Sequence, residues 1–123
     1  MTENNNDLDL TFLYDIADGS DEFIVESITM FVDQSPQIMQ EISSAIAAQD
    51  WAAASAAAHK IKANLGFFGM LNSQAIIQDI EHACKNGAPD IADITAKFSE
   101  VSGIINASLA ELGKIKAEKE ANL

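Results

Sequence analysis

His59 is the residue whose type and setting could do chemistry. On a helical wheel at about 100° per residue, Trp51, Ala54, Ala58, Ile61 and Leu65 fall on one side and must face a core. His59 lies roughly 120° from the centre of that stripe, so its ring points to water. The outward residues beside it are Ala52, Ser55, Ala56, Lys62, Ala63 and Gly66. A solvated helix face normally carries long charged side chains, and here it is nearly flat. Imidazole titrates near neutrality, so a neutral, nucleophilic ring is available. Lys62, three residues on, is a helix-surface neighbour that can offset an incoming anion. An exposed nucleophile beside a cation, on a shelf that another protein can approach closely, suits phosphoryl transfer. The plainer alternative is a solvated histidine on an alanine-rich seam that packs against another helix or a second copy.

The remaining reactive side chains carry less. His82 sits in a later segment, and Asp79 and His82 have the i, i+3 spacing of some bundle metal sites. No second carboxylate–histidine pair accompanies them, so no metal site is expected and His82 reads as a surface residue. Cys84 is the only cysteine and reads as a small buried hydrophobe. Met30, Met39 and Met70, with Phe67 and Phe68, read as core fillers.

The elements that must position His59 are helical. Leu8, Leu10, Leu13 and Ile16 make a short first segment that ends at Asp18-Gly19. Ser20 can cap a long second segment in which Phe23, Ile24, Ile28, Phe31, Ile38, Ile42 and Ile46 recur at helical spacing. Pro36 interrupts it, but the apolar face continues, so one kinked helix is expected. Asp50 caps the third segment, which runs to about Leu65 before Gly66-Phe67-Phe68-Gly69 turns the chain. A fourth runs from Leu71 to Asn86. Pro89 starts the fifth, with Asp90 in its first turn and a stripe of Ile91, Ile94, Phe98, Val101, Ile105, Leu109 and Leu112. The expected fold is all-α, an up-and-down four-helix bundle with a short additional N-terminal helix. Residues 1–7 are expected as a disordered tail, 8–117 as the bundle and 118–123 as a frayed tail.

Composition narrows the function. With a net charge of −12 and no arginine, the chain lacks the basic patch that nucleic acid or anionic lipid requires. Its start has neither the basic nor the apolar region of a secretory signal. No run approaches the roughly 18 apolar residues of a membrane span. A cytoplasmic protein, monomeric and free-standing, is expected.

The stretch Ala57-Ala58-His59-Lys60-Ile61-Lys62-Ala63-Asn64-Leu65-Gly66-Phe67-Phe68-Gly69 resembles the signature of the histidine-containing phosphotransfer (HPt) family. That signature reads small-small-His, any residue, Leu or Ile, Lys, Gly, five variable positions ending in an aliphatic or aromatic, then Gly. The likeness extends from Leu8 to about Leu112, through Gly19 to Phe23, Phe31 to Pro36, Asp50-Trp51 and Ile80-Glu81 to Gly87. It implies that His59 accepts a phosphoryl group through Nε2, with Lys62 beside it and Gly69 at the turn. Glu81, with Gln78 one turn before it, takes the position of a polar residue that orients the imidazole. One departure is Ala63, where the family usually has glycine. The resemblance implies a carrier rather than an enzyme. Its partners would be receiver domains of a hybrid histidine kinase and a response regulator. The chain itself would bind no cofactor, since the receiver supplies Mg²⁺. Docking is expected on Ala52, Ser55, Ala56, Lys60, Ala63 and Gly66, flanked by Gln37 and Gln40. The rival reading from a different class is a non-catalytic helical adaptor or dimerisation domain.

Overall fold

The computed structural model describes residues 7–87 and 89–123. These form five α-helices: α1 (Thr11–Ala17), α2 (Asp21–Ala47), α3 (Trp51–Phe67), α4 (Leu71–Lys85) and α5 (Ile91–Glu120). Helices α2 to α5 close into a four-membered bundle. α2 and α4 each pack against α3 and α5, and α1 leans on α2. No helix among the described residues is long and apolar enough to cross a membrane.

Helix starts follow side-chain chemistry. Phe23 N–H donates to Ser20 Oγ (3.1 Å) and Ala53 N–H to Asp50 Oδ1 (3.2 Å). Each bond satisfies an amide that the helix itself leaves unpaired. The fifth segment starts later than expected. Asp90 lies outside α5 as its N-cap, taking the Asp93 N–H at 3.2 Å, and Pro89 precedes it. α2 runs unbroken through Pro36. The proline removes one backbone donor, but Ile28, Phe31, Ile38 and Ile42 on either side are all buried, and that packing holds the helix together.

α4 has no side-chain cap of its own, and Met70 precedes it. Its cap comes from far away. Ser73 N–H donates to Asp7 Oδ2 (2.7 Å), and Asp7 N–H donates to Ser108 Oγ on α5 (3.0 Å). A carboxylate at a helix N-terminus is favoured by the hydrogen bond and by the helix dipole. Asp7 is therefore part of the bundle, contrary to the expected tail, of which residues 1–6 lie outside the described residues. The other tail also begins later than expected. α5 continues to Glu120, and Lys119 pairs with Asp21 (3.4 Å) and lies over the Tyr14 ring at 5.3 Å.

The segment after Asp7 explains Gly69. Asp9 N–H donates to Phe68 O (3.1 Å), which lays the strap directly against the α3–α4 turn. Gly69 has φ +66, and a Cβ there would collide with the Asp9 backbone. Three further residues pack differently from expectation. Met30 is 61% exposed and Ile16 is 46% exposed, so neither fills the core, whereas Met70 and Phe68 do. Ile91, placed at the head of the α5 stripe, is also exposed.

Gly87 also has a positive φ (+91), but a Cβ there would meet nothing within 4 Å. The pair separates two costs. Gly87→Ala should lose about 1–2 kcal/mol from backbone conformation alone. Gly69→Ala should lose at least about 1 kcal/mol more, because the strap must also move. Urea unfolding of both variants measures the difference, and equal losses would show that the strap yields freely.

Candidate functional site

α3 presents His59 and α4 presents the residue that holds it. The His59 side chain is 70% exposed, as the wheel requires, while Glu81 is only 7% exposed. Glu81 Oε2 lies 2.8 Å from His59 Nδ1. Its other oxygen, Oε1, takes a hydrogen bond from Lys62 Nζ at 2.6 Å. His59 and Lys62 are three residues apart on one helix face, so a single carboxylate on the next helix can reach both. Ile61 and Leu65 hold α3 into the core behind them, and Ile77 and Ile80 do the same for α4.

The electrostatics follow from this arrangement. Burial alone would push the Glu81 carboxyl up. The hydrogen bonds from Lys62 and His59, and then their charges, more than offset burial and hold Glu81 below the ordinary glutamate value. An ionised carboxylate can only accept, so the Nδ1 of His59 carries the proton. In the neutral ring the lone pair is then on Nε2. That nitrogen belongs to the exposed side chain, so the arrangement offers a nucleophile of defined tautomer to whatever docks.

Around the ring the surface is open. Ala52, Ala56 and Ala63 are exposed and Ser55 is half-buried. A groove of about 690 Å³ runs between α3 and α4, floored by Trp51, Ser55 and Cys84, with His59 and Glu81 in its wall and Lys85 at its edge. Burial pushes the Cys84 thiol up, which leaves it unreactive. Lys60 is exposed and pairs with Glu41 of α2 at 2.9 Å.

Other expected neighbours stand elsewhere. Gln78 is exposed and makes no hydrogen bond to the ring; among the described residues Glu81 alone holds Nδ1. Gln37 and Gln40 line a separate depression between α2 and α3, and each bonds within its own helix, to Asp33 O and Ser44 Oγ. Gly66 is not open shelf. Gln74 lies against it and donates from Nε2 to Lys62 O (3.1 Å), where a Cβ on residue 66 would stand 2.7 Å from that nitrogen. Sequence reasoning missed Gln74. Its only signal is that a glycine one turn past Lys62 leaves room for a side chain from the next helix. His82 is exposed on α4.

In comparison with known proteins, a family model described as Hpt domain matches residues 26–114, well over half the chain. No curated protein and no solved structure matches.

The shifted carboxyl makes a pH prediction. Glu81 titrates lower in the fold than when unfolded, so its ionised form adds stability above the ordinary value of 4.5, and that share is lost as pH falls through the folded value. Glu81→Gln should therefore be about 1–3 kcal/mol less stable than wild type at neutral pH. The gap should close in acid. A gap that stays constant from pH 7 to about pH 3 would mean that ionisation of Glu81 does not couple to folding.

Proposed function

The chain belongs to the Hpt domain family, whose members take part in histidine phosphotransfer, and on that footing we propose that His59 is the phospho-acceptor of a multi-step phosphorelay. The observation that carries this reading is the Glu81–Nδ1 contact, which leaves Nε2 as the nucleophile on an exposed ring.

The proposed step needs no proton transfer. The Nε2 lone pair forms the N–P bond as the O–P bond of a receiver's aspartyl phosphate breaks, and the aspartate leaves as carboxylate. The proton on Nδ1 stays where it is. The ring becomes cationic while facing Glu81, which stabilises that charge, and passing the phosphoryl group to a second receiver returns the ring to neutral. Lys62, three residues after His59 on α3 and held on the same carboxylate, is a cation that can offset a phosphoryl group on Nε2. The receiver brings Mg²⁺ and the catalytic carboxylates. This chain contributes the nucleophile, its orientation and a close-approach surface, so catalysis is largely positioning and electrostatics.

In this reading the donor is the receiver of a hybrid histidine kinase and the acceptor is that of a response regulator. The protein works as a cytoplasmic monomer and is a carrier, not an enzyme. Docking uses Ala52, Ser55, Ala56 and Ala63 around the ring, with Lys60 at the edge. Ala63, where the family usually has glycine, adds one methyl group to that shelf.

Incubation with a phosphorylated receiver should label wild type with an acid-labile, base-stable phosphate. His59→Gln should take up none, and labelling of that variant equal to wild type would refute the assignment. Lys62→Ala should be labelled on the order of tenfold more slowly while remaining folded. Ala56→Glu should leave the helical circular dichroism unchanged and slow transfer, since a long charged side chain replaces a methyl group beside the ring. Unchanged transfer would remove the shelf from the docking surface.

A further inference from the structure

Lys62 is gripped by α4 at two points. Its Nζ donates to Glu81 Oε1 (2.6 Å), and its main-chain carbonyl accepts from Gln74 Nε2 (3.1 Å). Gln74 and Glu81 are seven residues apart on α4, about two helical turns, so they share the face that reaches α3. One residue of α3 is thus tied at its amine and at its backbone by two residues of the next helix.

The backbone tie is not demanded by the helix. The Lys62 carbonyl lies inside α3, where it accepts the N–H four residues on. Gln74 takes its second lone pair. The sequence makes room for this extra bond. Gly66 lies in the last turn of α3 and has no positive φ to require a glycine. In such a place glycine weakens a helix relative to alanine. What it provides is space, since the three nearest atoms to a Cβ on residue 66 all belong to Gln74, the closest at 2.7 Å.

Lys62 has two tasks in the proposed transfer. At rest its amine is bonded to Glu81, and with a phosphoryl group on Nε2 the amine has a second anion to meet. A backbone tie persists in both states, because it does not depend on where the amine points. We infer that Gln74 is a positioning residue whose amide, seated over Gly66, fixes the Lys62 main chain so that the amine can serve the phosphoryl group on His59. The inference rests on His59 as the phospho-acceptor, and Gln74 acts only through Lys62.

Two variants of the full chain remove the bond from opposite sides. Gln74→Met keeps the length and the helix preference of the side chain and loses the donor. Gly66→Ala keeps Gln74 but puts a methyl group where its amide sits, and favours the helix. In the unphosphorylated protein, NMR should show hydrogen exchange at the amide of residue 66 and at Lys62 Nζ quickened about three- to tenfold in both variants, the range one hydrogen bond is worth. The amides of buried Ile77 and Ile105 should exchange as in wild type. In single-turnover transfer from a phosphorylated receiver, the maximal rate should fall about threefold in each variant, with the half-saturating receiver concentration unchanged. On a Lys62→Ala background neither change should slow transfer further. Equal slowing on both backgrounds would make Gln74 a packing residue and overturn the inference. So would unchanged exchange in both variants, or a raised half-saturating concentration at an unchanged maximal rate. If wild type takes up no label, the phospho-acceptor reading fails, and the exchange measurement then decides by itself whether Gln74 holds Lys62.

Discussion

One buried carboxylate fixes the geometry of the site. Glu81 is nearly removed from water, and a carboxylate in that position is costly unless both oxygens find donors. Both donors come from one helix, three residues apart, and each oxygen takes one of them. This double attachment sets the rotation and axial position of α3 against α4 at the level of His59. A slip of one residue along either helix would leave at least one oxygen of Glu81 unpaired. The imidazole is thus held at Nδ1 by an interaction whose loss would also weaken the bundle.

The same register is held from below by chain that is remote in sequence. Asp7 caps α4 and reaches Ser108 of α5, and Asp9 N–H holds the carbonyl of Phe68, just past the end of α3. Gly69 lets the strap approach because it has no side chain and tolerates a positive φ. These contacts act where α3 turns into α4, which is where an error in relative height would propagate to Glu81. The glycine of the signature and the carboxylate of the site therefore serve one requirement, a fixed α3–α4 offset.

What could be read from sequence follows from how local each cause is. The caps Ser20 and Asp50 and the apolar stripes of α2 and α3 act within a few residues, and their periodicity alone is enough to place His59 outward. Asp7 and Ser73 are 66 residues apart, so nothing local marks Asp7 as a cap. Gln74 over Gly66 is likewise a contact between helices. Glu81 was named only through the family pattern, although Ile77 four residues before it and Cys84 three after it put it on the apolar stripe of α4. Met30 is a different case. It sits about 100° from Phe31 on the wheel, so periodicity put it outside, while its residue type suggested a core filler. Ser35, four residues after Phe31, is buried because it falls on the stripe despite its hydroxyl. In both cases position on the helix outweighed residue type.

The distribution of charge gives the two faces of α3 different characters. The first half of the chain is acidic without relief, and the lysines begin one residue after His59. Lys60 and Lys62 follow His59 on α3, tied to Glu41 and Glu81, and Lys85 lines the groove beside the ring. In a molecule of net charge −12, an arriving anion would meet long-range repulsion nearly everywhere. At short range the neighbourhood of Nε2 is the exception. A dianionic group bound there would compete with Glu81 for Lys62, and the cost of loosening that pair would be offset by the cationic ring that Glu81 then faces. In the proposed step the carboxylate could release one positive partner because a phosphorylated His59 would supply another.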